Sequence, residues 1–195
     1  MLKILAALLV ISLTQTASAQ EKNAGAEGKG KPPAGAPPLK INPTPDQTCA
    51  LKKILEAVQK VSNEQYGDRA SGTNSPVAIR TALEKLDVKL DGRGNAMDYV
   101  RILPKDDKFT ATGITNAADI PEGSIVVYSG PHSADYLSTG KVGRPGGDWY
   151  GDMAIKGEDG NYYADGKKKD PSLRRTIAGV FIPNHQLAKE ICNHK

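Results

Sequence analysis

Ser75-Pro-Val-Ala-Ile-Arg-Thr-Ala-Leu-Glu84 is the stretch on which the fold reading turns. Ser75 followed by Pro76 marks a helix start. The serine hydroxyl suits an N-cap, and proline, with its fixed φ and missing N–H, suits the first turn. From there Ile79, Ala82, Leu83 and Leu86 recur at helical spacing and predict one buried stripe. Upstream, Leu51, Ile54, Leu55, Val58 and Val61 predict an earlier helix, with Asp46 or Thr48 as its cap, and Gly67 to Asn74 reads as the connecting loop. Downstream, Asn95 to Leu103 predicts a short third helix ended by Pro104.

Beyond that point the pattern changes to strands. Ser124-Ile-Val-Val-Tyr128 is a β-branched run entered through Pro121-Glu-Gly123. Asp152-Met-Ala-Ile155 and Asn161-Tyr-Tyr-Ala164 flank Gly157-Glu-Asp-Gly160, which reads as a hairpin turn. Ile177 to Ile182 predicts a last strand, and Asn184 caps a closing helix with Leu187, Ala188 and Ile191 inward. Helices followed by antiparallel strands predict an α+β domain, with N-terminal helices packed on a small antiparallel sheet or barrel. Between the first two strands lies a loop, Gly130 to Gly151, with further glycines at 140, 143, 146 and 147, and with Trp149 and Tyr150. A loop of that length in a compact domain is functional or disordered. Trp149 and Tyr150 read either as a surface that stacks on a ligand or as a hydrophobic plug.

The two ends of the chain speak to compartment. Lys3, the apolar run Ile4–Leu13 and Ala17-Ser18-Ala19 form a cleavable leader over residues 1–19, so the mature chain is expected to begin at Gln20. The apolar run is too short for a membrane span, and the expected location is periplasmic or secreted. Residues 20–45, rich in Gly, Lys and Pro, read as a disordered linker, which leaves 46–195 as one domain. The net charge is +4, or +3 once Lys3 leaves with the leader, which is too mild to argue for nucleic acid. Cys49 and Cys192 are the only cysteines. In an oxidising compartment the pair reads as a disulfide stapling the first helix to the last, contributing about 4 kcal/mol through the closed loop. The competing reading makes Cys49 a catalytic thiol.

The order of these segments resembles the papain-like NlpC/P60-type cell-wall amidases and peptidases over roughly residues 72–183. Ser75 to Glu84 is similar to the family's nucleophile helix, C-A-x-x-V-R-x-A-L-E. Asn95-Ala-Met-Asp-Tyr-Val-Arg-Ile-Leu103 is similar to S-A-x-D-Y-x-x-x-L, and Gly123-Ser-Ile-Val-Val127 to G-D-I-V-V. Gly151-Asp-Met-Ala-Ile155 is similar to the histidine strand G-H-I-A-I, and Tyr162 to Asp170 to the hairpin that follows it. The resemblance implies a papain-like fold. It also implies that the catalytic Cys and His positions are held here by Ser75 and Asp152, with Asp165 at the position that orients the His.

That substitution changes the chemistry. The family mechanism needs a thiolate at a helix N-terminus, activated by an imidazole. A serine needs a base during attack, and a carboxylate is a poor base for an alkoxide-forming step. Ser75 therefore reads first as a helix cap. Asp152 reads as a ligand contact or as the partner of one of Lys167 to Lys169, and Asp165 as a hydrogen-bonding residue of a turn. His132 is the one histidine placed to approach the cleft from the glycine-rich loop. His132, Asp135 and Asp148 match no metal-ligand spacing, and neither a metal nor a cofactor is expected. The expectation is an inactive relative that binds peptidoglycan peptides or another cell-envelope component through Trp149, Tyr150, Asp152 and His132. The alternatives are an active peptidoglycan amide-bond hydrolase with an altered centre, using His132 with Ser75, or Cys49, and a secreted protein-binding module or inhibitor with a protein partner.

Overall fold

The computed structural model describes residues 41–67, 74–90, 92–139 and 150–194. Helix α1 spans Pro45–Val61 and buries Ala50, Leu51, Ile54, Leu55, Val58 and Val61. Its cap is Thr44, ahead of both expected candidates. The Thr44 Oγ1 accepts the Gln47 N–H at 3.4 Å, and Gln47 Oε1 accepts the Thr44 N–H at 3.1 Å. This reciprocal box satisfies two orphan donors, an arrangement available to neither Asp46 nor Thr48 inside the first turn. A π-helical turn, Ser62–Tyr66, continues α1 and stops at Gly67, where φ is +60°.

Helix α2 (Ser75–Glu84) buries Ala78, Ile79, Ala82 and Leu83, the expected stripe. Its cap differs from expectation: Asn74 is the N-cap and Ser75 the first helical residue. A 3₁₀ turn, Ala96–Asp98, then leads into α3 (Tyr99–Lys105). The Asp98 carboxylate accepts the Asn95 N–H at 2.8 Å. Pro104 lies inside α3 rather than beyond its end, in the last turn of a seven-residue helix, where only one backbone bond is lost.

The strands are β1 (Phe109–Ala111), β2 (Ile125–Ser129), β3 (Asp152–Lys156), β4 (Tyr162–Ala164), β5 (Gly166–Lys168) and β6 (Thr176–Pro183). They form a six-stranded open sheet in the order β1-β6-β2-β3-β4-β5, with every neighbouring pair antiparallel. Of the expected sheet or barrel, the chain makes the sheet. Helix α4 (Ser133–Thr139) lies inside the segment expected to be all loop, and α5 (His185–Asn193) closes the chain. Asn184 caps α5, its Oδ1 accepting the Leu187 N–H at 2.8 Å, and Leu187, Ala188 and Ile191 face inward as the pattern requires.

The fold is α+β. Helix α1 packs on α2, α5 and strands β3, β4 and β6, while α3 packs on β1 and β6. Ile125–Tyr128 and Asp152–Ile155 are buried without alternation, so both faces of the central strands are covered. Gly123 makes the close approach of β2 to α1 possible: its φ is +80°, and a Cβ there would lie 2.2 Å from the Leu51 carbonyl oxygen.

Cys49 and Cys192 are joined in a disulfide that ties α1 to α5 across a sequence separation of 143. No helix among the described residues is long and apolar enough to cross a membrane.

Candidate functional site

Four elements converge where the resemblance placed Ser75 and Asp152: the start of α2, the start of β3, the β4–β5 bend and β5. Ser75 opens α2 and is buried. Its Oγ does not cap the helix; it accepts the Met153 N–H at 3.3 Å. The same N–H donates to Asp152 Oδ1 at 2.8 Å, so the serine and the carboxylate share one donor. The two positions are therefore adjacent in space although 77 residues apart in the chain.

Gly151 sets the entry of β3. Its φ is +70°, and a Cβ there would lie 2.2 Å from the Tyr128 carbonyl oxygen, so the chain can approach β2 this closely only with glycine. The next residue, Asp152, pairs directly with Tyr128 across β2 and β3.

Asp152 is answered by a cation. Lys168, on β5, places Nζ 3.1 Å from each oxygen of Asp152 and 3.4 Å from Asp165 Oδ1. The side chains are 12% exposed for Lys168, 10% for Asp152 and 0% for Asp165, so this is a desolvated cluster and not a surface ion pair. Asp165 does more than stabilise a local turn: its Oδ2 accepts the Asn74 N–H at 3.0 Å, at the N-terminus of α2. A carboxylate there also faces the positive end of the helix dipole. Asp165 thus joins the β4–β5 bend to the helix that carries Ser75.

Of the three consecutive lysines, only Lys168 among the described contacts reaches Asp152. Lys167 pairs with Asp159 at 2.9 Å and lies 5.8 Å from the Tyr163 ring. The alternation of strand side chains separates the two neighbours, because β5 sends them to opposite faces. Lys168 pairs directly with Tyr162 across β4 and β5, and the Tyr162 and Tyr128 rings meet edge to face at 6.0 Å. Burial holds the Tyr128 phenol far above its ordinary range, with the Tyr162 hydroxyl, Asp170 and Asp152 adding to the effect, so Tyr128 stays neutral.

The chemistry follows from these partners. Both Asp152 oxygens accept from the Lys168 ammonium, and one also accepts the Met153 backbone N–H, so the carboxylate is fully engaged by partners other than Ser75. Among the described residues, no imidazole contacts Ser75 Oγ; its partner is the Met153 N–H. Cys49, the other nucleophile considered, is consumed in the disulfide and offers no thiolate.

His132 is exposed, with Nδ1 3.8 Å from Asp135. Tyr150 is partly buried. Trp149 and Asp148 lie outside the described residues. Among the described residues, no three His, Cys, Asp or Glu side chains are grouped to hold a metal ion. The sequence reading missed Lys168 as a specific partner, together with the Tyr128–Tyr162 pair. The available signal was the Asp165–Lys168 spacing after a glycine, which is too short to read as a strand pattern.

No family profile matches the chain, and no curated protein matches it in sequence. Among solved structures, it is similar to a chain of the type VI native effector-immunity complex Tae3-Tai3 from Ralstonia pickettii. The identity is 18% and the TM-score 0.44, covering 66% of this chain and 97% of that one. At that similarity the likeness carries no functional inference.

Proposed function

We propose that this chain is an exported, catalytically silent relative of the papain-like NlpC/P60-type cell-wall hydrolases, and that it binds peptidoglycan peptides. The observation that carries the reading is the occupancy of Asp152. At the position where the family resemblance calls for a general base, both carboxylate oxygens accept from Lys168 at 3.1 Å, and Ser75 Oγ accepts the Met153 N–H. A serine without a base cannot form its alkoxide at a useful rate, whatever the helix dipole adds. Two contacts support the reading: α2 presents its first residue to the start of β3, and Asp165 links the β4–β5 bend to that helix.

The test is incubation of the purified protein with isolated peptidoglycan sacculi. Soluble products are read by mass spectrometry, and the protein retained in the pellet is measured against a non-binding control. The expected result is retention without new muropeptides. New cleavage products would overturn the silent reading, and their masses would name the bond cut.

A further inference from the structure

An open pocket lies at the end of β2, one residue beyond Tyr128. Its volume is about 400 Å³, and it is lined by Ser129 at the end of β2, by Gly130 and Pro131 beyond it, by Ser172 from the 3₁₀ turn Pro171–Leu173, and by Arg174, Arg175 and Thr176 leading into β6. Ser129 and Thr176 are the last paired residues of β2 and β6, and the Ser129 hydroxyl donates to the Thr176 carbonyl at 3.3 Å. The register between these strands shifts at Val127/Tyr128, the kind of irregularity that turns a strand end and re-aims its side chains.

The lining has one sign of charge. It contains two guanidinium groups, three hydroxyl side chains and no acid. The nearest acid in sequence, Asp170, is not part of the lining; its Oδ1 accepts the Ser172 N–H at 2.8 Å and holds the turn that presents Ser172. Arginine offers a planar fork of donors that matches an oxyanion, and the Ser172 and Thr176 hydroxyls add polar groups to the lining, while the Ser129 hydroxyl is committed to the Thr176 carbonyl. The volume falls within the range of ligand pockets and far exceeds that of a bare ion, so an oxyanion carried on a larger molecule suits it. The pocket also lies on the Tyr128–Asp152 end of the sheet.

We propose that this pocket binds an oxyanion group of the ligand through Arg174 and Arg175. Resting on the function proposed above, that group is a carboxylate of a peptidoglycan stem peptide. The role is in recognition and requires no reaction.

The test is isothermal titration calorimetry on the purified protein with three probes: a synthetic stem peptide with free carboxylates, the same peptide with its carboxylates amidated, and inorganic phosphate. The Arg174→Gln, Arg175→Gln double variant is expected to bind the free peptide at least tenfold more weakly than the parent. The amidated peptide is expected to bind the parent as weakly as the free peptide binds the variant. An Arg→Lys pair at both positions, which keeps the charge and loses the fork, is expected to fall between. Thermal melting checks that the variants fold; if the double variant does not, Arg174→Gln alone, at the exposed position, is expected to weaken free-peptide binding at least threefold. Equal affinity of parent and variant, or no loss on amidation, would overturn the proposal. Arginine-dependent binding of phosphate with none of the peptide would overturn the carboxylate assignment. Retention on sacculi separates the two hypotheses: unchanged retention with neutral arginine variants sinks only this pocket, whereas no retention of the parent sinks the function on which it rests.

Discussion

The N-terminal half of α1 and the start of α2 are secured by different physics. Where α1 meets α5, the disulfide closes the chain and backbone groups take up the polar side chains. Lys53 Nζ donates to the carbonyls of Ile191, Cys192 and His194 at 3.2, 3.0 and 2.6 Å, and Gln47 Nε2 to the Pro183 carbonyl at 2.9 Å. Lys53 thus satisfies orphan acceptors at the C-terminus of α5 and sits at the negative end of its dipole. Where α2 meets β3 and β5, side chains answer side chains: one lysine faces two carboxylates in a desolvated space. The first junction degrades gradually, because each contact is separate. The second is interdependent, because both carboxylates share one cation and removing the lysine leaves both buried without a counter-charge. Buried ion clusters add little net stability over apolar residues of similar volume, yet they are costly to break. The site region is therefore the fragile one, even though it lies against the core.

The largest expected effect comes from breaking the fragile side. Lys168→Met should cost about 5 kcal/mol, the upper end for a broken buried pair, because it strands two carboxylates at once. Urea unfolding would measure it. Adding Asp152→Asn and Asp165→Asn to that variant should recover much of the loss, since the amides carry no charge to strand. A triple variant no more stable than Lys168→Met would mean that the lysine acts through packing alone.

The next effect is on the stapled side. Cys49→Ser with Cys192→Ser should lower stability by about 4 kcal/mol through loss of the long closed loop. Melting with and without reductant should show the same drop in the parent and none in the variant. A smaller effect is expected from Lys53→Met, about 1–2 kcal/mol, with faster amide hydrogen exchange confined to α5. If exchange rose equally in α2 and β3, the two junctions would be one cooperative unit and the comparison would fail.

Legibility followed length and periodicity. Helices α1, α2 and α5 could be read because each carries a buried stripe at helical spacing, β2, β4 and β6 because each centres on β-branched or aromatic residues, and β3 because its apolar run, Met153 to Ile155, meets a glycine-bounded turn. Strands β1 (Phe109-Thr-Ala111) and β5 (Gly166-Lys-Lys168) were not legible: three residues are too few to show a period of two, and β5 has no apolar side chain at all. Helix α4 was hidden in a glycine-bearing segment, and the caps of α1 and α2 were each displaced from expectation. The Thr44 box needed Gln47 to be recognised as its partner, and Ser75 was drawn away from capping by the Met153 N–H.

By itself, the sequence determined the α+β order of elements, the cysteine pair and the absence of histidine at the start of β3, all properties of local pattern and residue identity. Only the tertiary structure decided that Ser75 and Asp152 share one N–H, that Lys168 and not Lys167 neutralises Asp152, and that Asp165 reaches the head of α2. Those outcomes depend on strand register and on which face each β5 side chain takes. Register is set by the packing of the whole sheet, so a one-residue slip would have exchanged Lys167 and Lys168 and changed the charge of the site without altering a letter of the sequence.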